Sequence, residues 1–167
     1  MSNILLFESY DDTLYIKKYY DEKTEGFVVI HRAHGFNELY GNETIAISLA
    51  KLGKRVVLLP NEADGISADA EVDNEIWEFK TISNTRNLSN RIHKVISKGK
   101  HQSSNVLIYI AQLYKSHEIT KGIDNAVRVD SNELIQKIAI LFQDGRLIFV
   151  KREEVTDKSF NDKFHTH

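Results

Sequence analysis

The chain has 167 residues, 41% of them hydrophobic and 28% charged, which is about one domain's length with enough apolar content for a core. It has no cysteine, excluding a disulfide framework, thiolate catalysis and thiolate-ligated zinc or iron–sulfur sites. A formal net charge of −2 announces no global basic field, no apolar run approaches the ~20 residues of a membrane span, and Met1–Phe7 lacks the pattern of a signal peptide, so a cytoplasmic site of action with no membrane partner is expected.

Residues 1–35 read as strand-like and Tyr-rich, with Leu14–Ile16 and Phe27–Ile30 as the clearest β runs and Glu25-Gly26 as a turn. A helix is predicted from the Asn37–Asn42 region to Leu52, with Ile45, Leu49 and Leu52 at helical spacing and Gly53 as its stop. Arg55–Leu59 is a short apolar strand ended by Pro60, the chain's one proline, and Asn61–Gly65 is a loop. Ile66–Val72 and Glu75–Ile82 are strands meeting at a tight Asp73-Asn74 turn. Ser83 or Asn84 caps a helix to about Lys100 that turns Leu88, Ile92, Val95 and Ile96 inward. Val106–Ala111 is a further strand. A helix is expected near Ser131–Lys137, then a second hairpin of Ile138–Phe142 and Arg146–Val150 around Asp144-Gly145, then a frayed polar end. The central order, helix–strand–strand–strand–helix–strand, defines a mixed α/β domain over 1–167 with its core at about 36–111.

The charge is strongly segregated. Between Val56 and Phe79 there is no Lys or Arg, yet Glu62, Asp64, Asp69, Glu71, Asp73, Glu75 and Glu78 fall there. From Phe79 to His117 there is no acid, while Lys80, Arg86, Arg91, Lys94, Lys98, Lys100 and Lys115 accumulate. Carboxylates hold a hard divalent cation and basic side chains hold phosphates, the pairing that phosphodiester chemistry requires. A self-complementary salt-bridge pattern on a solvated surface is the other reading of the same charges.

The hairpin sharpens the first reading. A two-residue turn at Asp73-Asn74 pairs Val72 with Glu75, Glu71 with Ile76, Ala70 with Trp77 and Asp69 with Glu78. Alternation sends Trp77 and Phe79 to the core and sets Glu78 and Lys80 together on the other face, about 7 Å apart. Opposed carboxylates repel, so this register invites a cation between them, and Mg²⁺ (or Mn²⁺) suits two carboxylates, water and a phosphate oxygen. Lys80 would then orient a water or offset charge in the transition state. A turn one residue longer would shift the register and bring in Glu71 or Asp73 as rival ligands. An edge hairpin with a polar outer face is the bland alternative.

An Asp in one strand, then Glu-x-Lys in the next, then a helix and another strand resembles the PD-(D/E)xK phosphodiesterase superfamily. More closely, Leu49-Ala50-Lys51-Leu52-Gly53, Arg55–Leu59, Ala68-Asp69-Ala70, Trp77-Glu78-Phe79-Lys80-Thr81 and Gln102 before an apolar strand resemble the tRNA-nuclease domains of CdiA-type contact-dependent inhibition toxins. The likeness covers roughly Gly26–Ala111, and Ala68 stands where the signature has proline. It implies a restriction-endonuclease-like core, Asp69, Glu78 and Glu43 as metal ligands, Lys80 as the catalytic lysine, and Gln102 as a further polar site residue. It also implies a Mg²⁺-dependent endonuclease acting on RNA, tRNA above all, with a cognate immunity protein as partner.

Arg91, Lys94 and Lys98 share one face of the helix after the motif, extended by Lys100 and His101, and form a candidate nucleic-acid-binding stripe or an ordinary solvated face. His31 and His34 lack further ligands at zinc spacing, though they could line a cleft. Tyr10, Tyr15, Tyr19 and Tyr20 suggest packing more than base stacking. His165 and His167 belong to the expected frayed end. No dinucleotide, phosphate-loop or nucleophile-elbow pattern occurs. A DNA-processing nuclease of a phage or mobile element, or a non-catalytic binding module on the same fold, remains the alternative function.

Overall fold

A computed structural model describes residues 1–63, 67–84 and 86–165; the expected start of a strand at Ile66 and the terminal His167 lie outside them. The chain packs as two units, Met1–Trp77 and Glu78–His167, divided within one strand, and each is taken by itself.

The first unit contains α1 (Asn3–Ser9), β1 (Tyr15–Tyr20), β2 (Phe27–His31), α2 (Phe36–Lys51), β3 (Arg55–Leu58), β4 (Ala70–Val72) and the start of β5 (Glu75–Ile82). β1 pairs antiparallel with β2, β2 parallel with β3, and β3 and β4 antiparallel with their successors. The parallel β2–β3 step needs a crossover, which α2 supplies by burying Ile45, Ala46, Leu49 and Ala50. Phe27–Ile30 are all buried, hence a continuous apolar run rather than an alternating one. Asn3–Ser9 is helical rather than strand-like. An apolar stretch this short does not distinguish the two, and Phe7 decides the matter by docking on Tyr20 and Phe27, with ring centroids 5.5 and 5.6 Å away. Tyr10 and Tyr15 pack edge-on at 5.0 Å within the same cluster, so these tyrosines are core-bound.

The β4–β5 turn follows the sequence expectation. Asp73 and Asn74 both take positive φ, 49° and 70°, as a two-residue turn of matching twist requires. Val72 faces Glu75, Glu71 faces Ile76 and Ala70 faces Trp77.

In the second unit β5 pairs parallel with β6 (Asn105–Ile110), and β6 parallel with β7 (Lys137–Phe142). β7 pairs antiparallel with β8 (Leu147–Lys151) through a turn in which Gly145 has φ 90°. The crossovers are α3 (Leu88–Gly99) and α4 (Ser116–Arg128). Ile92, Ile96, Ile119 and Ile123 from these helices cover Val106, Ile108, Ile138 and Ile140.

Three expectations are corrected in this unit. The second crossover helix is Ser116–Arg128, not Ser131–Lys137, since Ile119, Ile123, Ala126 and Val127 form the apolar stripe. The helix after β5 starts at Leu88, not at a Ser83 or Asn84 cap, because Asn87 is left-handed at φ 55°. Up to Phe164 the last segment is ordered rather than frayed: α5 (Arg152–Thr156) and a 3₁₀ turn (Ser159–Phe164) bury Val155, Phe160 and Phe164 in the main core.

α3 and α4 approach closely at Gly122, where an added Cβ would lie 2.6 Å from Ser89 O and 2.7 Å from Ile92 Cβ. Gly122→Ala should therefore cost about 1–3 kcal/mol despite alanine's better helix propensity, read as a lower denaturation midpoint with unchanged slope. No described helix is long and apolar enough to cross a membrane.

Candidate active site

Glu78 is the most unusual side chain of β5. It is 1% exposed, and the residues on either side, Trp77 and Phe79, are buried too. β5 is thus covered on both faces and is no edge strand with a polar outer side, as the bland reading of the hairpin had it. In the parallel register Glu78 lies beside Val106, Lys80 beside Ile108 and Ile82 beside Ile110, so these β5 residues share the face covered by α3 and α4. Gly99 packs beside Glu78: a Cβ there would crowd Val106 at 3.1 Å and touch Glu78 Cγ at 3.4 Å.

A buried carboxylate must be matched by donors, and two reach it. Lys80 Nζ donates to Glu78 Oε1. With its amide nitrogen facing the carboxylate, Gln102 donates to Oε2 at 2.7 Å and also to Oε1. Gln102 is itself exposed and Lys80 partly so, and the cluster therefore opens to solvent. Sequence reasoning named all three residues, and the second unit brings them together.

Asp69 belongs to the first unit, where it is 7% exposed just before β4. Its backbone O accepts from Leu59 N at 2.9 Å, and its Oδ1 accepts from Asn42 Nδ2 at 2.9 Å. The same amide lies 3.1 Å from His34 Nε2, while His34 Nδ1 is 2.6 Å from Leu59 O. A carbonyl can only accept, so Nδ1 carries the proton and Nε2 accepts from Asn42. Leu59, His34, Asn42 and Asp69 thus form one satisfied chain. The sequence gave no spacing signal for Asn42, and His34 stood there only as half of a histidine pair. His31, its supposed mate, instead stacks edge-on against Tyr15 at 5.1 Å. Asn42→Ala should cost about 1–3 kcal/mol, because it strips a donor from a buried carboxylate and an acceptor-bearing ring; chemical denaturation measures it.

On α2 the residue that bonds Asp69 is Asn42, and the neighbouring Glu43, the expected ligand, is engaged by a lysine. Glu43 Oε1 takes Lys18 Nζ at 3.0 Å with a quarter of the side chain exposed. Asp73, a rival ligand, is held by Lys54 at 3.1 Å and Arg55 at 3.5 Å. Among the described residues no group of three or more His, Asp or Glu gathers at metal-binding distances. The carboxylates of Asp69 and Glu78 are hard oxygen ligands of the kind that suits Mg²⁺ or Mn²⁺.

Arg91, Lys94 and Lys98 are exposed on α3 as expected, while Ile92 and Ile96 are buried. Lys100 leaves the stripe: its Nζ binds Asp130 Oδ1 at 3.1 Å with 15% of its side chain exposed. His101 remains exposed.

Fold and side chains together define a mixed α/β protein in which a buried glutamate, bonded by a lysine and a glutamine that reach solvent, lies at the foot of a basic helix. Residues 67–147 match the family model described as the contact-dependent growth inhibition CdiA C-terminal domain. That segment contains Asp69, Glu78, Lys80, Gln102 and all of α3. Among solved structures, the chain is similar to the CdiA-CT/CdiI toxin and immunity complex from Burkholderia pseudomallei, at 19% identity and a TM-score of 0.49, over 81% of this chain and 92% of that one. No curated protein matches it.

Proposed function

We propose that the chain is a metal-dependent endonuclease of the PD-(D/E)xK type with a restriction-endonuclease-like core. Its substrate in this reading is RNA, tRNA in particular, and it acts in the recipient cytoplasm as a contact-dependent growth inhibition toxin countered by a cognate immunity protein. The observation that carries the proposal is the Glu78–Lys80–Gln102 cluster, a buried carboxylate with an ammonium and an amide on it, at the end of an exposed basic helix. The family match over the same segment supports it.

Glu78 would hold the metal, with Asp69 and Glu43 as the further ligands that the resemblance to PD-(D/E)xK nucleases implies; Glu43 is paired with Lys18. A divalent cation bound there would supply polarisation of the phosphate and a lowered pKa for a water. Gln102 fixes the rotamer of Glu78. Lys80 holds the attacking water by hydrogen bond and offsets negative charge developing on the phosphate. Arg91, Lys94 and Lys98, joined by His101, bind the flanking phosphates.

Lys80→Ala tests the assignment. Cleavage of tRNA should fall by two orders of magnitude or more with oligonucleotide affinity retained; undiminished cleavage would rule the catalytic lysine out. Charge reversal at Arg91, Lys94 and Lys98 should instead weaken binding and reduce the slope of log affinity against log salt by about 2–3, since each phosphate contact contributes ~0.7–0.9. Plasmid DNA as competing substrate separates the RNA reading from a DNA-processing one.

A further inference from the structure

β5, β6 and β7 run parallel in the second unit, so their carboxyl ends, at Ile82, Ile110 and Phe142, lie along one edge of its sheet. Ligands of parallel α/β sheets bind outside the carboxyl ends of strands. Here that edge carries three neighbouring cavities. One, of about 340 Å³, is lined by Gln112, Leu113, Tyr114, Phe142, Gln143 and Asp144. A second, of about 430 Å³, shares Leu113 and Tyr114 with it and adds Arg86 and Lys115. A third, of about 220 Å³, is lined in part by Arg91 and Lys94, and Arg91 Nε donates to Arg86 O at 2.9 Å, linking the second to the third.

The linings differ in chemistry along this path. Leu113 is 91% exposed, a large apolar side chain left in water between two cavities. Tyr114 beside it is rigid: its ring stacks on Phe142 at 4.6 Å, and Arg146, whose guanidinium sits 4.6 Å from the Phe142 centroid, donates to its hydroxyl. The amides of Gln112 and Gln143 have no protein partner among the described residues and offer both donors and acceptors. The negative groups are Asp144, which Arg146 neutralises at 3.3 Å, and Glu118 in the second cavity. Apolar and amide groups thus occupy one end, and four cations the other.

α3 connects this edge to the Glu78 cluster. Leu88 begins it just after β5 and Gly99 ends it against Glu78, so Arg91, Lys94 and Lys98 climb from one to the other. Four residues of strand, from Glu78 to Ile82, separate the two by about 13 Å.

We propose that the 340 Å³ cavity is a subsite for one unpaired nucleotide of a single-stranded nucleic acid. Its base rests on Leu113 and Tyr114 with its edge at Gln112 and Gln143, and its phosphates follow Arg86, Lys115 and the α3 stripe towards Glu78. The subsite rests on the nuclease reading for its ligand class and adds to it a requirement for unpaired substrate a few nucleotides from the cut. A duplex cannot deliver a base there without unpairing, whereas loops and ends can.

The test is fluorescence anisotropy with labelled ten-nucleotide RNA and DNA strands in EDTA, single-stranded, duplexed, and with one abasic position moved along the strand. Wild-type protein should bind the single strands at least tenfold more tightly than the duplex, and one abasic position should cost about tenfold. Leu113→Ser, a change at an exposed position, should lose the same factor and become indifferent to the abasic position. A double variant, Gln112→Ala with Gln143→Ala, should lose it in part. Equal binding of the Leu113→Ser protein, or equal affinity for duplex and single strand, would overturn the subsite. Cleavage with Mg²⁺ is read separately: a cleaving enzyme whose Leu113 variant binds normally leaves the nuclease and removes the subsite, while abasic-sensitive binding without cleavage keeps the subsite and removes the nuclease. Tighter binding of RNA than DNA identifies the strand it serves.

Discussion

Glu78→Gln should reduce phosphodiester cleavage by about three orders of magnitude while leaving the fold intact. The substitution keeps volume and shape inside a pocket bounded by Gly99 and Val106, so packing is preserved. It removes the charge on which Lys80 and the proposed metal both depend, and in its place leaves an amide facing the amide of Gln102. A loss of that size is what removing a participant in metal and proton handling brings, beyond anything a hydrogen bond alone would account for. Initial rates with tRNA at several Mg²⁺ concentrations measure it. The variant should not recover at high metal, and its circular dichroism melt should stay within a few degrees of wild type.

Asp130→Asn should be the most destabilising conservative change in the second unit. The Asp130 carboxylate has no exposed surface and binds Lys100 Nζ at 3.1 Å and Arg152 Nη1 at 2.8 Å, as well as the Ile135 N–H at 2.8 Å. Arg152 also donates to Ile135 O at 3.0 Å and Asp130 O at 3.1 Å, tying the end of α4 to α5. Asparagine leaves two cations around a neutral group, which costs about 3 kcal/mol for a pair broken on one side, or roughly 6–12 °C in a chain of this size. The pH dependence follows from the shifted carboxyl. Burial raises its pKa, but the Ile135 N–H, Lys100 and Arg152 outweigh burial and hold it below the ordinary aspartate value. A pKa lowered on folding contributes stability above the unfolded value, near 3.9, and loses it as pH falls through the folded one. Wild type and variant should therefore differ most at neutral pH and converge as pH falls below the folded pKa, as thermal melts across the acid range would record.

What the sequence made legible was local and strongly patterned. The Asp73-Asn74 turn set the β4–β5 register through the Ala70–Trp77 pair because two adjacent turn-forming residues admit few backbone solutions. Glu78 and Lys80 were readable as a pair because strand alternation sets them on one face, whereas Gln102 came only from the family resemblance, since its approach to Glu78 depends on where the following helix ends. α4 was not, since its stretch is polar apart from the stripe of Ile119, Ile123, Ala126 and Val127, and the reason for Gly122 within it, the backbone of α3 2.6 Å from an added Cβ, is tertiary. Asn42 was equally hidden. The family resemblance pointed to Glu43 as the acidic residue of α2, but the helix's rotation, set by Ile45, Ala46 and Leu49 in the core, gives Asp69 the neighbouring amide and sends Glu43 to Lys18. Lys100 looked like part of a phosphate stripe until Asp130, thirty residues on, claimed it.

The most direct test of the central claim is incubation of purified protein with total tRNA and with plasmid DNA, each with Mg²⁺ and with EDTA, resolved on denaturing gels. The account predicts discrete tRNA fragments that require Mg²⁺, with the plasmid left intact. Intact tRNA and plasmid across Mg²⁺ and Mn²⁺ would contradict it and leave the Glu78 cluster as the structural anchor of a binding module.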